Sequence, residues 1–348
     1  MDAKITKLRL SRMLSYDWLK IVGAAAGAIL IWSLIFTMTA TRITSAQTFT
    51  ACNYTGNNTF SNEFNKNFYG AQNGVFTGEV IELGVVDLTT AGDMASQVLQ
   101  ARVATEEGDV MFVSTQPDKS TSYTETVVDP VTGEAVIDPE TNKPMKETKY
   151  KNSYLESFLV GYRYQLHELS MDNENGYFQK MQAYLNRYFT DWENSDSLNE
   201  EKVEEHFRLR IKKTKDKRYK KAADIQRGID EAIARMHKYR EALTSFYAYL
   251  EDGTVTLTKT TYTAEGENGY SFEGTYSINL CPTEKMSKLS NFVSYTTTYI
   301  DENEKEQQTV SAKDMQVCLF NMNGKEEEFC YEGLIYITHL IDSVLAIQ

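Results

Sequence analysis

A run of twenty uncharged residues, from Ile21 to Ala40, constrains this chain more than any other stretch. A helix rises about 1.5 Å per residue, so a run of this length spans about 30 Å, the thickness of one hydrocarbon core. A signal peptide usually has an apolar region of only about 7–15 residues. The length therefore predicts an uncleaved transmembrane helix over residues 21–40, although Thr44-Ser45-Ala46 resembles a cleavage site and leaves cleavage open.

Basic residues on one side of this run predict its orientation. Residues 1–20 hold five Lys or Arg against two Asp, whereas only Arg42 follows closely on the other side. Because basic flanks stay cytoplasmic, we expect a cytoplasmic N-terminus at 1–20 and an extracytoplasmic C-terminal domain, in a single-pass protein of the cell membrane. Gly23 and Gly27 have GxxxG spacing, which permits close helix approach, but a span merely rich in small residues is the simpler interpretation.

The part of the chain beyond this run is strongly acidic. The formal net charge is −13, and residues 1–42 carry +4, from six Lys or Arg and two Asp, which leaves −17 for the rest. A surface of this sign argues against nucleic acid as a partner. About 300 residues are ample for one two-lobed domain or two small ones. We therefore expect a globular ectodomain.

Strand and helix patterns alternate between residues 48 and 114. The stretches are TFTACNY at 48–54, NTFSNEFNKNFYG at 58–70, VFTGEVIELGVVDL at 75–88, AGDMASQVLQARVAT at 91–105 and DVMFVS at 109–114. The last of these is a continuous apolar run, which is typical of a strand buried on both faces. The order strand, helix, strand, helix, strand predicts a parallel sheet covered by helices.

Each of the two predicted helices has an expected inner face. Phe60, Phe64 and Phe68 recur every four residues and would share one face of the first helix. Met94, Val98 and Ala101 would face inward from the second helix. The spacing of three or four residues is the basis of both predictions.

Four short segments resemble the first lobe of extracellular solute-binding proteins of ABC transporters. They are Glu79–Leu83, Met94–Ala104, Glu107-Gly108 and Asp109–Val113. A polar segment leads into a strand, a helix carries small and apolar residues, and an acidic-Gly turn enters a strand of the pattern Asp-Val-x-Phe-Val. The resemblance covers about 48–115, with a weaker echo at about 270–348. It implies an α/β fold in which two lobes close over a small polar solute and deliver it to an ABC permease.

The middle of the chain departs from that family. Residues 121–150 contain Asp129-Pro130, Gly133 and Asp138-Pro139, which mark tight turns and predict an exposed hairpin insert. A solvated loop is the simpler interpretation of this insert, and a docking arm is the alternative.

A large helical segment is predicted at 151–252. Apolar residues recur at steps of four and three from Ile225 to Leu250, which indicates one long helix with an apolar seam. Packing within the chain is the simpler use of this seam, and a coiled-coil dimer is the alternative. Ser197 with Glu200 predicts a capping box for the preceding helix.

A basic run, RLRIKKTKDKRYKK, extends from Arg208 to Lys221 in this otherwise acidic region. It is typical of a solvated helix end, where Lys and Arg are favourable. The alternative is a patch that contacts anionic lipid head groups or anionic wall polymers.

A second α/β lobe is predicted at 253–348, after a first lobe at 45–120. Asp314 to Phe320 predicts a strand, and the apolar stripe from about Glu326 onward predicts a buried helix. A hairpin turning at Asn323-Gly324 is the alternative.

No catalytic or metal-binding motif is present in the sequence. There is no GxxxxGK[ST], GxGxxG or GxSxG, so neither a phosphate loop nor a nucleophile elbow is indicated. The four Cys show no CxxC spacing and the four His no HExxH, which argues against zinc. Cys318 and Cys330 fit a disulfide and two buried thiols equally well. We expect no enzyme activity, no cofactor and no metal.

The predicted ligand site lies where parallel strands end, because ligands of open α/β sheets bind beyond the carboxyl ends of strands. The candidate ligand-binding residues follow the first and third strands: Asn53, Tyr54, Thr55, Ser114, Thr115 and Gln116. The leading hypothesis is a membrane-anchored solute-binding-like protein, tethered to the lipid bilayer through 21–40, with an ABC permease as partner. The alternative is a ligand-free surface scaffold or assembly subunit that contacts a protein through the 129–147 arm or the 225–250 seam. A cleft with converging polar groups and aromatic walls would favour the first hypothesis, and a filled cleft the second.

Overall fold

The computed structural model describes residues 7–8, 11, 18–39, 47–54, 57–89, 94–264, 269–300, 305–321 and 326–347. The α-helices of these stretches are α1 Trp18–Thr39, α2 Asn62–Gly70, α3 Ala95–Ala104, α4 Tyr154–Tyr162, α5 Tyr177–Leu185, α6 Glu200–Thr214, α7 Ala222–Glu251 and α8 Glu332–Leu345. The strands are β1 Thr48–Asn53, β2 Asn58–Phe60, β3 Glu82–Asp87, β4 Val110–Val113, β5 Ser122–Thr126, β6 Lys146–Tyr150, β7 Thr256–Thr263, β8 Ser271–Asn279, β9 Val293–Ile300, β10 Glu306–Ser311 and β11 Gln316–Leu319. The mixture confirms the α/β class.

The chain divides into two compact units, Met1–Ile43 and Thr44–Gln348. The first contains α1, in which Trp18–Thr37 is long and apolar enough to cross a membrane. A signal sequence near an N-terminus has similar properties. The structure therefore confirms the predicted apolar helix, whereas its place in a membrane and its orientation stay predictions.

Six strands of the second unit form one mixed sheet in the order β3-β1-β4-β11-β8-β7. β1 is parallel to both of its neighbours, β3 and β4. Ala51 of β1 lies opposite Val85 of β3 on one side and opposite Val110 of β4 on the other. β11, β8 and β7 are each antiparallel to the strand before them in this order. The predicted parallel sheet is thus confirmed for β1, β3 and β4, and an antiparallel half extends it.

Three of the strands expected in a second lobe, β7, β8 and β11, belong to the same sheet as β1, β3 and β4, whereas β9 and β10 form a separate sheet with β2. β11 lies beside β4, with Val317 opposite Phe112, and β8 lies beside β11. All four residues of β11 are buried, so this strand requires an interior position in a sheet. The two-lobed solute-binding arrangement is therefore not confirmed.

Helices cover both faces of the sheet because alternate residues of the central strands point to opposite sides. Phe49 and Phe112 lie in the larger cluster, which is packed by α2, α5, α6, α7 and α8. Met111 and Cys318 lie in a smaller cluster on the other face, with α3 and α4. All four residues of β4 are buried, as the DVMFVS stretch predicted.

The predicted apolar seam of the long helix packs within the chain. α7 extends over 30 residues, and Ile229, Met236, Tyr239 and Phe246 on its seam are buried in the larger cluster. The helix is followed by Gly253 at φ +70°, a conformation that glycine adopts without steric cost. The seam is therefore occupied by the chain's own core.

Helix starts differ from the predicted ones where a nearby residue provides a better cap. Phe60 lies in β2, because α2 begins only after Ser61, whose hydroxyl accepts a hydrogen bond from the Phe64 amide. α6 begins after Asn199, not Ser197, since the Asn199 side-chain oxygen accepts from the Lys202 amide at 3.0 Å. A capping box does occur, at Ser153 and Glu156 at the start of α4.

The inner face of α3 is also shifted from the prediction. Met94 is 60% exposed and Ala101 is exposed, whereas Val98 is half-buried. Ala95 and Leu99 face the sheet instead. The reason is that the helix begins at Ala95, so Met94 only precedes its first turn.

A buried charge network joins α6 and α7 to two loops. Arg210 forms ion pairs with Glu79 at 2.8 Å and with Glu328 at 3.1 Å. Arg218 contacts Glu79 at 2.8 Å, and Arg235 contacts Glu328 at 3.1 Å. Glu79, Arg210, Arg235 and Glu328 are each no more than 9% exposed at the side chain. Arg210 and Arg218 of the predicted basic run thus form ion pairs with a buried carboxylate.

Candidate functional site

The carboxyl ends of β1 and β4 lie side by side, and this is where the sequence predicts a ligand site. From β1 the chain passes to β3 on one side and then returns to β4 on the other. Such a reversal of strand order opens a crevice in many α/β proteins. The side chains at this edge decide whether a crevice is present here.

Asn53 ends β1, and its side chain is used for internal hydrogen bonds. It is completely buried; its side-chain oxygen accepts from the Leu88 amide at 2.8 Å, and its Nδ2 donates to the Asn58 carbonyl at 3.1 Å. The Asn58 Nδ2 in turn donates to the Phe112 carbonyl at 3.2 Å. Asn53 therefore ties together the strand ends instead of facing an open cleft.

Tyr54 is also directed into the protein. Its backbone amide donates to the Phe112 carbonyl at 2.8 Å, and its ring lies 5.2 Å from the Phe158 ring on α4. Burial raises the pKa of Tyr54 to about 12, so the hydroxyl remains protonated at neutral pH. The Tyr54 ring is therefore packed against the smaller core cluster.

The loop after β4 is bonded to the start of α4. The Ser114 and Gln116 carbonyls accept from the Leu155 and Tyr154 amides at 3.1 and 3.0 Å. Ser114 is fully buried, and its hydroxyl has no hydrogen-bond partner among the described residues. Thr55, the remaining candidate after β1, lies outside the described residues.

Among the predicted residues, Thr115 lines a sizeable cavity. This cavity is open, has a volume of about 410 Å³ and lies at the base of the β5–β6 hairpin. Its lining residues are Thr115, Pro117, Tyr123, Thr148, Lys149, Tyr150, Lys151, Asn152, Ser153 and Glu156. Most of these were missed because the cavity depends on strand pairing within the insert.

Most polar groups of this cavity already have partners. Lys149 forms ion pairs with Glu125 at 2.7 Å and with Glu147 at 2.9 Å. Ser153 and Glu156 bond to each other in the capping box of α4. Tyr123 and Tyr150, each 40% exposed, remain as aromatic surfaces.

The insert at 121–150 is an ordered hairpin, which we call the arm (Ser122–Tyr150). β5 and β6 pair antiparallel over five residues each, and bridges Val128–Ala135 and Ile137–Pro144 continue toward the tip. Asp129 accepts from the Val131 and Thr132 amides at one turn. These bonds give the arm a defined shape.

The arm presents apolar side chains to solvent. Val131 at its tip is 90% exposed. Other apolar or aromatic side chains of the arm with at least 40% exposure are Tyr123, Val128, Ile137, Met145 and Tyr150. β5 and β6 pair only with each other in the described sheets, so each has an outer edge available for another strand.

The described part of the chain contains neither a cluster of metal ligands nor a disulfide. No group of three or more His, Cys, Asp or Glu is placed there to hold a metal ion. None of the four cysteines forms a disulfide, so Cys318 and Cys330 are not bridged. Burial raises the pKa of Cys52 to about 12, which keeps its thiol protonated and unreactive.

Comparison with protein-family models, curated proteins and solved structures finds no match to this chain.

Proposed function

We propose that this chain is a membrane-tethered scaffold that holds a protein partner through the arm. One observation supports this most directly: Asn53 and Tyr54, expected to contact a solute, are engaged inside the protein, while apolar side chains project from an ordered hairpin. Burying a solvent-exposed apolar side chain such as Val131 stabilises a complex by about 25 cal/mol per Å². The tether is the apolar helix α1.

The partner that suits the arm is a protein with an extended segment. A strand added at the edge of β5 or β6 gains backbone hydrogen bonds, and the alternate side chains of the arm provide specificity. The arm carries three Lys against six Asp or Glu. A neutral or basic partner segment therefore complements it.

Solute binding is the second candidate function, and the cavity at the base of the arm favours it. Its volume of about 410 Å³ lies in the range of small-ligand sites, and two tyrosines border it. In this form the function is delivery of a small polar solute to an ABC permease, as the resemblance implies. The six-stranded sheet takes strands from both predicted lobes, and closure of two lobes over a solute is not confirmed, so the scaffold is the better-supported function.

The experiment compares photo-crosslinking at the arm with crosslinking at an equally exposed apolar position elsewhere. A photoreactive residue replaces Val131 on the arm or, as the control, Val310 on β10, which is 61% exposed. In native membranes we expect a discrete crosslinked protein from position 131 and none from position 310. Val131→Ser with Ile137→Ser should weaken binding of that protein at least tenfold, whereas Tyr299→Ser with Val310→Ser should leave it unchanged.

A thermal-shift screen of the full chain against sugars, peptides and amino acids separates the two functions. A solute at a hundred times its dissociation constant stabilises its binding protein by about 2.7 kcal/mol. We expect no such shift. A clear shift that Tyr123→Ala and Tyr150→Ala abolish, together with no arm-specific crosslink, would establish the solute-binding function instead.

A further inference from the structure

The fold divides the basic run Arg208–Lys221 into residues that contact buried groups, which are Arg210, Arg218 and Tyr219, and residues that are exposed. Arg210 and Arg218 bind the buried carboxylate of Glu79, each at 2.8 Å. Five exposed lysines of the run lie at the end of α6 and in the loop before α7, and we call them the lysine patch: Lys212, Lys213, Lys215, Lys220 and Lys221.

The residues that contact buried groups hold the backbone of this loop in place. The Tyr219 hydroxyl donates to Glu79 at 3.1 Å, and the Tyr219 ring lies 5.0 Å from the Phe207 ring. Arg218 also pairs with Asp216 at 2.7 Å, so the one acidic residue of the run is already neutralised. The buried contacts of Arg218 and Tyr219 therefore hold in place the loop that carries part of the lysine patch.

The lysine patch carries unpaired charge in the part of the chain that the structure describes. Within the residues that the structure describes, none of its five lysines forms an ion pair. The region after residue 42 nevertheless carries −17 overall. A cluster of unpaired positive charges on a protein surface attracts a negatively charged partner.

Helix-end electrostatics explain only part of the patch. Lys212 and Lys213 lie in the last turn of α6, where the helix dipole favours cations. Lys220 and Lys221 precede α7, and Lys221 is its N-cap residue. The positive end of the α7 dipole disfavours cations at that place and attracts anions. Helix-end electrostatics therefore do not account for these two lysines, whereas an anionic partner would.

We infer that the lysine patch contacts the anionic head groups of the bilayer to which α1 tethers the protein. This inference rests on the tether in the proposed function. Whichever side of the bilayer the second unit occupies, the tether keeps it at high effective concentration beside a lipid surface. Lysine ammonium groups suit diffuse head-group charge, which requires no bidentate geometry. A single-stranded nucleic acid is disfavoured, because Tyr219, the aromatic residue of the run, is buried.

The test is amine footprinting of the full chain in lipid nanodiscs. Nanodiscs of neutral lipid are compared with nanodiscs containing about one-third anionic lipid, and modification rates are measured for each lysine by mass spectrometry. We expect modification of the lysine patch to slow about tenfold in anionic nanodiscs and to recover in 1 M salt, where the screening length falls to about 3 Å. Lys143 and Lys146 on the arm provide the internal control and should not change.

A variant pair checks that the protection depends on these charges. Lys212, Lys213, Lys220 and Lys221 are changed to Gln, and a control variant changes Lys119, Lys143, Lys146 and Lys288, which are also exposed. Protection of Lys215, present in both variants, should be lost in the first and kept in the second. Both variants lower the charge by the same amount, so a general charge effect would appear in both.

Three outcomes would overturn the inference or its basis, and they are distinguishable. Failure of the chain to incorporate into nanodiscs would contradict the tether. Incorporation with equal modification rates in neutral and anionic nanodiscs would contradict the lipid contact alone. Protection in neutral nanodiscs only after a soluble poly(glycerol phosphate) is added would identify an anionic polymer, and not the bilayer, as the partner.

Discussion

Glu79 joins the loop after α2 to α6 and to the loop before α7, through Arg210 and Arg218. Removing one member of a buried ion pair leaves the other charge unpaired, which costs about 3–5 kcal/mol. We therefore expect Glu79→Gln to lower the free energy of unfolding by at least about 3 kcal/mol, measured by urea denaturation. Glu204→Gln, which breaks the exposed Glu204–Arg208 pair on the same helix, should cost no more than about 0.5 kcal/mol.

The pH dependence of stability provides an independent check on Glu79. Burial alone would raise its pKa, but Arg210, Arg235 and Arg218 together lower the pKa of Glu79 to about 2. The unfolded value is about 4.3, so the ionised group stabilises the native state above that pH. This stabilisation is lost as the pH falls from about 4.3 to 2.

In urea denaturation at a series of pH values, the difference in unfolding free energy between wild type and Glu79→Gln should be constant above about pH 5. It should shrink steadily between about pH 4.3 and 2. Burial raises the pKa of Glu328 in the same network, but this group is present in both proteins and largely cancels in the comparison. Parallel curves down to pH 2 would show that Glu79 is not the ionised centre of the network.

At the scale of elements, the crossing of α6 and α7 depends on a glycine. A Cβ atom at Gly228 would lie 2.3 Å from Phe207 Cζ and 2.6 Å from Tyr219 Cε1. Alanine gains about 1 kcal/mol of helix propensity over glycine, but overpacking of this kind costs about 1–3 kcal/mol. We expect Gly228→Ala to lower the thermal midpoint.

Gly161 in α4 is the matched control, because nothing lies within 4 Å of its Cβ position. Gly161→Ala should raise stability by about 0.5 kcal/mol or more. Both changes are measured by thermal denaturation of the full chain. A stabilising Gly228→Ala would mean that α6 and α7 separate without cost and that the loop before α7 is not held as described.

Elements with a local signal could be predicted from the sequence. The α7 seam can be recognised from the spacing of its apolar residues along the chain. The buried strand β4 can be recognised from its short continuous apolar run. The predictions that Met94 faces inward and that Ser197 caps α6 were wrong. The residue at which a helix begins depends on which of several neighbouring residues provides the cap. The six-stranded sheet was beyond reach, since it depends on pairing between distant strands such as β4 and β11. The cavity at the arm was missed because it depends on how β5 and β6 pair within the insert.

The candidate site was predictable only in its place along the chain. The strand ends after β1 and β4 do lie together, but the side chains of Asn53 and Tyr54 are turned inward to Asn58 and Phe158, whereas Thr115 lines the open cavity. A polar residue after a strand is equally compatible with a ligand and with a buried neighbour. Only the packing of α4 against Tyr54 decides between the two.

For the whole molecule, the distribution of charge predicts an orientation that labelling can test. The five basic residues of 1–20 should stay cytoplasmic, and the acidic body should face outward. A membrane-impermeant amine reagent applied to intact cells should therefore modify Lys143 and Lys146 on the arm. Lys4 and Lys7 should react only after the cells are permeabilised.

Changing the flanking charges tests whether these charges determine the orientation of the protein in the membrane. Replacing Lys4, Lys7, Arg9 and Arg12 with Gln removes most of the asymmetry that holds the N-terminus inside. In this variant we expect Lys20 to react in a larger fraction of intact cells than in wild type, since part of the population inserts in the opposite direction. A protein recovered from the medium without residues 1–40 would instead show that the apolar helix is a cleaved signal, and the tether would then be absent.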